Sequence, residues 1–332
     1  MSAATTPLIE ARSLSRQFRI GGGLLRRSHL LRAVDEVDLA VDPGQVLALV
    51  GESGSGKTTL GRCLLGMLRP TSGSVLFDGH DMGGAGREHR AGMRRRAQPI
   101  FQNPYSSLDP RWPVERTVRE PLDAFRVGDR SARDRRVVQL LDSVGLSPRH
   151  ARSRPYELSG GQRQRVAIAA AQALDPALIV ADEPVSALDV LVQAQILNLI
   201  CDLQRELGLT LIFITHDLAV VEHIADRVAV MYLGRIVESG PASEVLNRPQ
   251  HPYTRSLLDA IPQPDPRRRH TAVLVRGEIP SPLAPPPGCH FHPRCPLAID
   301  RCRTTAPGMT KFGPGHTASC HVTAAEHRAK GA

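Results

Sequence analysis

Gly51-Glu52-Ser53-Gly54-Ser55-Gly56-Lys57-Thr58 fits G-x-x-x-x-G-K-[ST] at every fixed position, and Thr59 follows. Glycines let the backbone curl so that successive N–H groups point inward at phosphate oxygens. The loop feeds a predicted helix, whose N-terminal dipole favours anions. Lys57 can then reach the β- and γ-phosphates of a nucleotide, and the Thr58 hydroxyl can ligate Mg²⁺. The apolar run Val46–Val50 ahead of the loop reads as a short strand, which is the context this motif needs.

Two further clusters carry chemistry of the same kind. Leu178-Ile179-Val180-Ala181-Asp182-Glu183 is a buried-strand run ending in two carboxylates. Asp182 suits Mg²⁺, directly or through a neighbour. Glu183, one residue on, points elsewhere and can orient and deprotonate a water. Ser159-Gly160-Gly161-Gln162 opens a second helix, with Ser159 and Gln162 at capping-box spacing. Its glycines make a second anion site at a helix tip. One nucleotide rarely needs two such tips from one chain. A two-fold dimer explains the pair, with the tip of one chain closing on the nucleotide held by the other.

Leu158–Gln162 (LSGGQ), the Gly51–Thr58 loop and "ADEP", in this arrangement, resemble the ATP-binding cassette of ABC transporters, over nearly the whole chain. The resemblance implies further roles. Gln102, in "IFQNP", matches the glutamine that senses Mg²⁺ and contacts the permease. Ser186-Ala187-Leu188-Asp189 matches the loop that crosses the dimer interface. His216, in "FITHD", matches the histidine that contacts the γ-phosphate, and as the residue closing a β-branched strand it falls at the carboxyl edge of a sheet, where ligands bind. Phe18 fits the aromatic that stacks on adenine. The implied cofactors are ATP and Mg²⁺, and the implied reaction is in-line attack of water on the γ-phosphate, promoted by positioning and charge neutralisation. Ala170 and Gln172 depart from common family residues in the helix after LSGGQ, away from nucleotide.

The elements that must position these residues follow from pattern. The first part reads as strands and turns around one helix, with a hairpin at Asp78-Gly79. Residues 88–157 are polar, Arg-rich and helical in pattern, an inserted helical subdomain. Residues 158–240 alternate strand and helix and end in a hairpin at Gly234-Arg235, which implies a mostly parallel sheet. The expected fold is therefore α/β: a P-loop NTPase cassette with a RecA-like parallel core, an antiparallel β subdomain and a helical insertion, spanning 1–248. Beyond it, 249–332 is Pro-rich and reads as a small irregular module.

That module narrows the family. "RPQHPYTRSLLDAIP" (Arg248–Pro262), "FQNPYSSLDPR" and "EPVSALDVLVQAQILNL" resemble the oligopeptide/dipeptide and nickel importer cassettes. Such a subunit pairs with a second, related cassette beneath two permease subunits fed by an extracytoplasmic binding protein. Nickel, opines or oligosaccharides are alternative cargoes. A non-transport ABC ATPase is disfavoured, because neither a long coiled coil nor a second cassette is visible. Cys289, Cys295, Cys302 and Cys320 run C-x5-C-x6-C-x17-C, a set that suggests a metal staple in so irregular a segment. Similarity to peptide-importer cassettes points to a [4Fe–4S] centre, with zinc, free thiols or disulfides as alternatives; His290, His292, His316 and His321 leave mixed ligation open. Cys63 and Cys201 fall within predicted helices and read as core.

Bulk properties only bound these readings. The 332 residues carry 41% hydrophobic and 23% charged side chains, ordinary for a globular chain. Net charge is +9, with Arg clustered at 94–96, 133–136 and 267–269. Aromatics at 4%, with one Trp, argue against a stacking platform for nucleic acid. No stretch reaches the ~18 apolar residues of a membrane span, and the N-terminus has no signal-peptide core. The expected location is the cytoplasmic face of the cell membrane, held there through the permease.

Overall fold

A computed structural model describes residues 6–21, 29–261 and 277–331; the Arg267–Arg269 cluster lies outside them. The chain begins with an antiparallel pair, β1 (Ile9–Ile20) and β2 (His29–Val41). Next come β3 (Val46–Val50), the glycine-rich loop and α1 (Lys57–Leu64). Then β4 (Ser72–Phe77) turns at Asp78-Gly79 into β5 (His80–Asp81), as expected. Strands β1, β2, β4 and β5 form a four-stranded antiparallel sheet in the order β2-β1-β4-β5.

The Arg-rich stretch opens with α2 (Arg87–Arg96) and continues, after a strand, through α3 (Pro104–Ser107), α4 (Val114–Ala124) and α5 (Arg130–Ser143). That strand, β6 (Ala97–Ile100), pairs parallel with β7 (Leu178–Asp182). The insertion read as wholly helical thus contributes an edge strand to the main sheet. After α6 (Gly160–Gln172) and β7, the chain alternates α7 (Val190–Leu207), β8 (Thr210–Thr215), α8 (Leu218–Ile224) and β9 (Arg227–Tyr232). Then β10 (Arg235–Pro241) folds back on β9 with Tyr232 opposite Arg235. The hairpin therefore turns at Leu233-Gly234, one residue earlier than predicted.

The C-terminal region is more regular than its proline content suggests. After α9 (Ala242–Asn247), which closes the cassette, it contains α10 (Pro252–Asp259) and α11 (Asp300–Thr304), then β11 (Thr310–Gly313), β12 (His316–Ala318) and α12 (His321–Gly331). Its two strands extend the main sheet, whose order is β11-β12-β10-β9-β3-β8-β7-β6. One buried carboxylate pins the region down. Glu238 on β10, fully buried, accepts from the N–H groups of Gln250 and His251 at 2.7 and 2.9 Å and meets His316 Nε2 at 2.8 Å.

The centre of the sheet is parallel and buried on both faces, so its strands are continuous apolar runs. Alternate residues serve different cores. Leu178, Val180, Ile212 and Ile214 pack with α1 and the antiparallel sheet. Ile179, Ala181, Leu211 and Phe213 pack with the helical insertion and α6. Ala48, Val50, Val228 and Val230 join Tyr253 and Phe291 from the C-terminal region. Strands β3, β7 and β8, which lead to the glycine-rich loop, Asp182 and His216, each pair with a neighbour on both sides, whereas β6, which leads to Gln102, is an edge strand.

Candidate functional site

The loop between β3 and α1 takes its shape from two glycines. A side chain at Gly51 (φ 155°) would put its Cβ 2.2 Å from the Met231 carbonyl oxygen, and one at Gly56 (φ 106°) would come 2.0 Å from that of Ala33. The loop runs against β9 and β2 with no room for a side chain at either end, and α1 begins directly after it. Gly56 caps α1 without a side-chain hydrogen bond, so the first N–H groups of the helix face the loop's concavity. Lys57 Nζ lies across the loop and donates to the carbonyls of Gly51 and Glu52 at 2.7 and 2.9 Å. Burial lowers its pKa, while Glu183, Asp182 and Glu52 act in the opposite direction.

The two adjacent acids do separate, as predicted from their spacing. Asp182, the last residue of β7, accepts from the Thr58 hydroxyl at 3.0 Å. Burial raises its pKa, against the Thr58 hydrogen bond, and a cation placed beside these two oxygens would reverse that. Glu183 takes a left-handed backbone (φ 45°) and donates its N–H to Ile214 on β8. This conformation is uncommon for a residue with a Cβ. The Glu183 carboxylate lies between two other side chains of the cleft. Gln102 Nε2 donates to Glu183 Oε2 at 2.8 Å, and His216 Nδ1 lies 3.3 Å from Oε1. Glu183 is only 16% exposed in its side chain, whereas His216 is 60% exposed.

One cleft of about 730 Å³ has Gly51, Glu52, Ser53, Gly54, Gly56, Lys57, Thr58 and Thr59 along its floor and Gln102, Glu183 and His216 on its wall; Asp182 is not in its lining and sits behind Thr58. Ser55 is turned inward and buried. Phe18 is not part of the lining; its ring carries the Arg16 guanidinium at 4.6 Å, and its cross-strand partner Leu31 lines the cleft instead. Ser159, Gly160, Gly161, Gln162 and Asp189 also lie outside it. Ser159 and Gln162 make the predicted reciprocal cap at the tip of α6, at 3.2 and 2.9 Å. Asp189 caps α7 by accepting from the Val192 N–H.

Sequence reasoning missed the part of the wall that comes from outside the motifs. Leu31 and Ala33 come from β2, Leu257 from α10 and Pro282 from the C-terminal region. Tyr253 and Arg294 grip Glu52 from behind.

The four C-terminal cysteines are free thiols brought close together. Burial pushes Cys289 and Cys295 up to about 11; Cys302 and Cys320 raise both, and Cys289 raises Cys295. Cys289 donates its N–H to the Cys302 carbonyl at 2.9 Å. Among the described residues no group of three or more His, Cys, Asp or Glu is placed to hold a metal ion. Three of the nearby histidines have other partners: His292 meets the Cys289 carbonyl, His316 meets Glu238, and His321 meets the Thr305 carbonyl. Each of these contacts uses one ring nitrogen, Nδ1 of His292 and Nε2 of His316 and His321. Cys63 is buried and Cys201 half-buried, both in helices, as expected.

Residues 34–186 match the family model described as ABC transporter, and residues 237–302 match that of the oligopeptide/dipeptide transporter C-terminal region. The "Probable peptide ABC transporter ATP-binding protein y4tS" of Sinorhizobium fredii is 51% identical over 96% of this chain and 90% of its own length. The chain belongs to the ABC transporter ATP-binding family. It is an ABC-type ATPase. The dipeptide transport ATP-binding protein DppF of Haemophilus influenzae is 45% identical over 95% of this chain and 96% of its own. Among solved structures, the dimeric post-hydrolysis state of the ATP-binding cassette MJ0796 bound to ADP and Pi superposes with a TM-score of 0.63, at 28% identity, over 70% of this chain and 98% of that one. No described helix of this ABC ATPase is long and apolar enough to cross a membrane.

Proposed function

We propose that this ATPase powers the import of di- or oligopeptides, as half of a nucleotide-sandwich dimer docked on membrane permease subunits. The observation that carries the catalytic part is the convergence of Gln102, Glu183 and His216 beside the Gly51–Thr59 loop. The loop N–H groups and Lys57 take the phosphates. Thr58 and Asp182 offer two oxygens to Mg²⁺, a small number that suits an ion held mainly by phosphate and water. Bound there, Mg²⁺ would supply charge neutralisation to the phosphates. Glu183 takes a proton from the attacking water, while Gln102, whose amide nitrogen holds the Glu183 carboxylate, would keep its oxygen for Mg²⁺, and His216 meets the γ-phosphate. Leu31 forms the surface on the adenine side, with Phe18 at its edge.

The capped tip of α6 and Asp189 then serve the partner's nucleotide. Next to them, Val190 and Leu191 at the start of α7 are each 78% exposed, an apolar pair suited to burial against a second cassette. The second cassette is read as a related but distinct chain, and the complex as fed by an extracytoplasmic binding protein. The subunit is thereby peripheral, at the cytoplasmic face of the membrane. Relatives named for peptide and dipeptide transport support the cargo.

Glu183→Gln is expected to reduce steady-state ATPase activity about 100-fold or more, as loss of a positioned base does, while the protein still binds ATP and dimerises on it. Phosphate release and light scattering with Mg-ATP check both halves. Surviving turnover would sink the assignment of Glu183.

For the cysteines we favour a [4Fe–4S] centre. The support is the C-x5-C-x6-C-x17-C spacing and four free thiols within one small module. Anaerobically purified protein is expected to contain iron and acid-labile sulfide; zinc alone would overturn this.

A further inference from the structure

Glu52 is the first variable residue of the glycine-rich loop, and it is held at three points. Its N–H donates to Tyr253 Oη at 2.8 Å, and its carbonyl accepts from Lys57 Nζ at 2.9 Å. Its carboxylate accepts two parallel N–H bonds from Arg294, at 2.8 and 2.9 Å. Both outer holds come from the C-terminal region, over 200 residues away in sequence.

Arg294 is built to stay in place. It lies in the tight turn between Cys289 and Cys295, where its N–H donates to the Phe291 carbonyl at 3.0 Å. It is 8% exposed, and its guanidinium sits 5.9 Å from the ring centres of both Tyr232 and Phe291. One of its terminal nitrogens also reaches Tyr232 Oη at 3.4 Å. A guanidinium fork fixes a carboxylate in direction as well as neutralising it, which a lysine cannot do. Tyr253 is buried, and burial raises its pKa, so its hydroxyl stays neutral while accepting from the loop.

The electrostatic need is plain from position. Glu52 lines the cleft that takes the phosphates. Unpaired, its carboxylate would repel a polyphosphate within a few ångströms. We propose that Arg294 is a positioning residue for ATP binding: it cancels the charge of Glu52 and, through Glu52, fixes the loop N–H groups and Lys57 in their phosphate-facing arrangement. The C-terminal region is thus a working wall of the ATP site. This rests on reading Gly51–Thr59 as the phosphate loop.

The test is equilibrium binding of Mg-ATP to the full-length protein by calorimetry, alongside steady-state ATPase kinetics and a thermal midpoint. Arg294→Met is expected to weaken ATP binding and raise KM about tenfold, the size of a lost charge-assisted hydrogen bond, with kcat within about threefold. Adding Glu52→Gln to Arg294→Met removes the uncompensated charge and is expected to recover most of the affinity. Arg294→Lys, which keeps charge and bulk, is expected to fall between wild type and Arg294→Met, and it carries the test if the methionine variant folds poorly. Wild-type affinity in Arg294→Lys, or strict additivity of the two substitutions in the double variant, overturns the proposal. Lys57→Ala is the reference: normal ATP binding there would sink the phosphate-loop reading itself, whereas its loss beside an unaffected Arg294→Lys would sink only the role of Arg294.

Discussion

The molecule has two glycine-rich helix tips, and they are finished differently. At α1 no side chain caps the helix; Gly56 stands at the N-cap, and a lysine, a threonine hydroxyl and a nearby aspartate surround the loop. At α6 the cap is complete within the chain, with Ser159 and Gln162 each satisfying the other's backbone N–H. The α1 tip opens into the cleft with Gln102, Glu183 and His216, while the α6 tip lies outside that cleft, with Gly160 near Leu188 and Gly161 near Val192. The difference separates holding a phosphate from touching one. The first tip has a lysine and a cleft in front of it; the second has a closed cap with Arg163 in its first turn and lies outside that cleft, which suits the proposed division between holding a nucleotide and closing on one.

The larger way to break that contrast is at Gly161. A Cβ there would lie 2.5 Å from Val192 Cγ1, at the first turn of α7. Valine is stiff at χ1 and Val192 is packed against the core, so α6 and α7 must part or Val192 must turn. Gly161→Ala is expected to cut ATP hydrolysis about tenfold, a cost of the size overpacking produces, while single-chain ATP affinity stays at the wild-type value. Adding Val192→Ala makes room for the new methyl group. If hydrolysis then returns, Gly161 serves only packing between the two helices. If it does not, the bare backbone itself is needed at the interface, as a closing tip requires.

Much of this contrast was readable in the sequence, because both tips announce themselves by short-range spacing. The strands β3, β7 and β8 were equally legible as unbroken apolar runs. What escaped was whatever depends on distant partners. The edge strand β6 is four residues long, contains Pro99 and follows three arginines, so its pattern is masked until β7 pairs with it. Strands β11 and β12 carry no apolar run at all; they exist because β10 offers an edge and Glu238 anchors His316. The grip of Arg294 and Tyr253 on Glu52 has no periodicity to betray it. Nor did the Phe18 pattern reveal that Leu31, across the strand, would face the cleft.

The smallest effect tests the cap itself. Ser159→Ala removes the hydroxyl that accepts the Gln162 N–H at 3.2 Å but keeps the bond from the Ser159 N–H to Gln162 Oε1 at 2.9 Å. Losing an N-cap oxygen costs about 1 kcal/mol of helix stability. Half of the reciprocal pair survives, so the helix start frays rather than unfolds. A hydrolysis loss of at most about fivefold is then expected, the limit in which the whole cost falls on the hydrolysing state. Binding of ATP to the isolated chain should not move, because the α6 tip lies outside the cleft that holds it. Measuring turnover and binding on the same protein separates the two tips: a matching drop in single-chain affinity would mean that the α6 tip contributes to its own chain's site, and the division between holding and closing would fail.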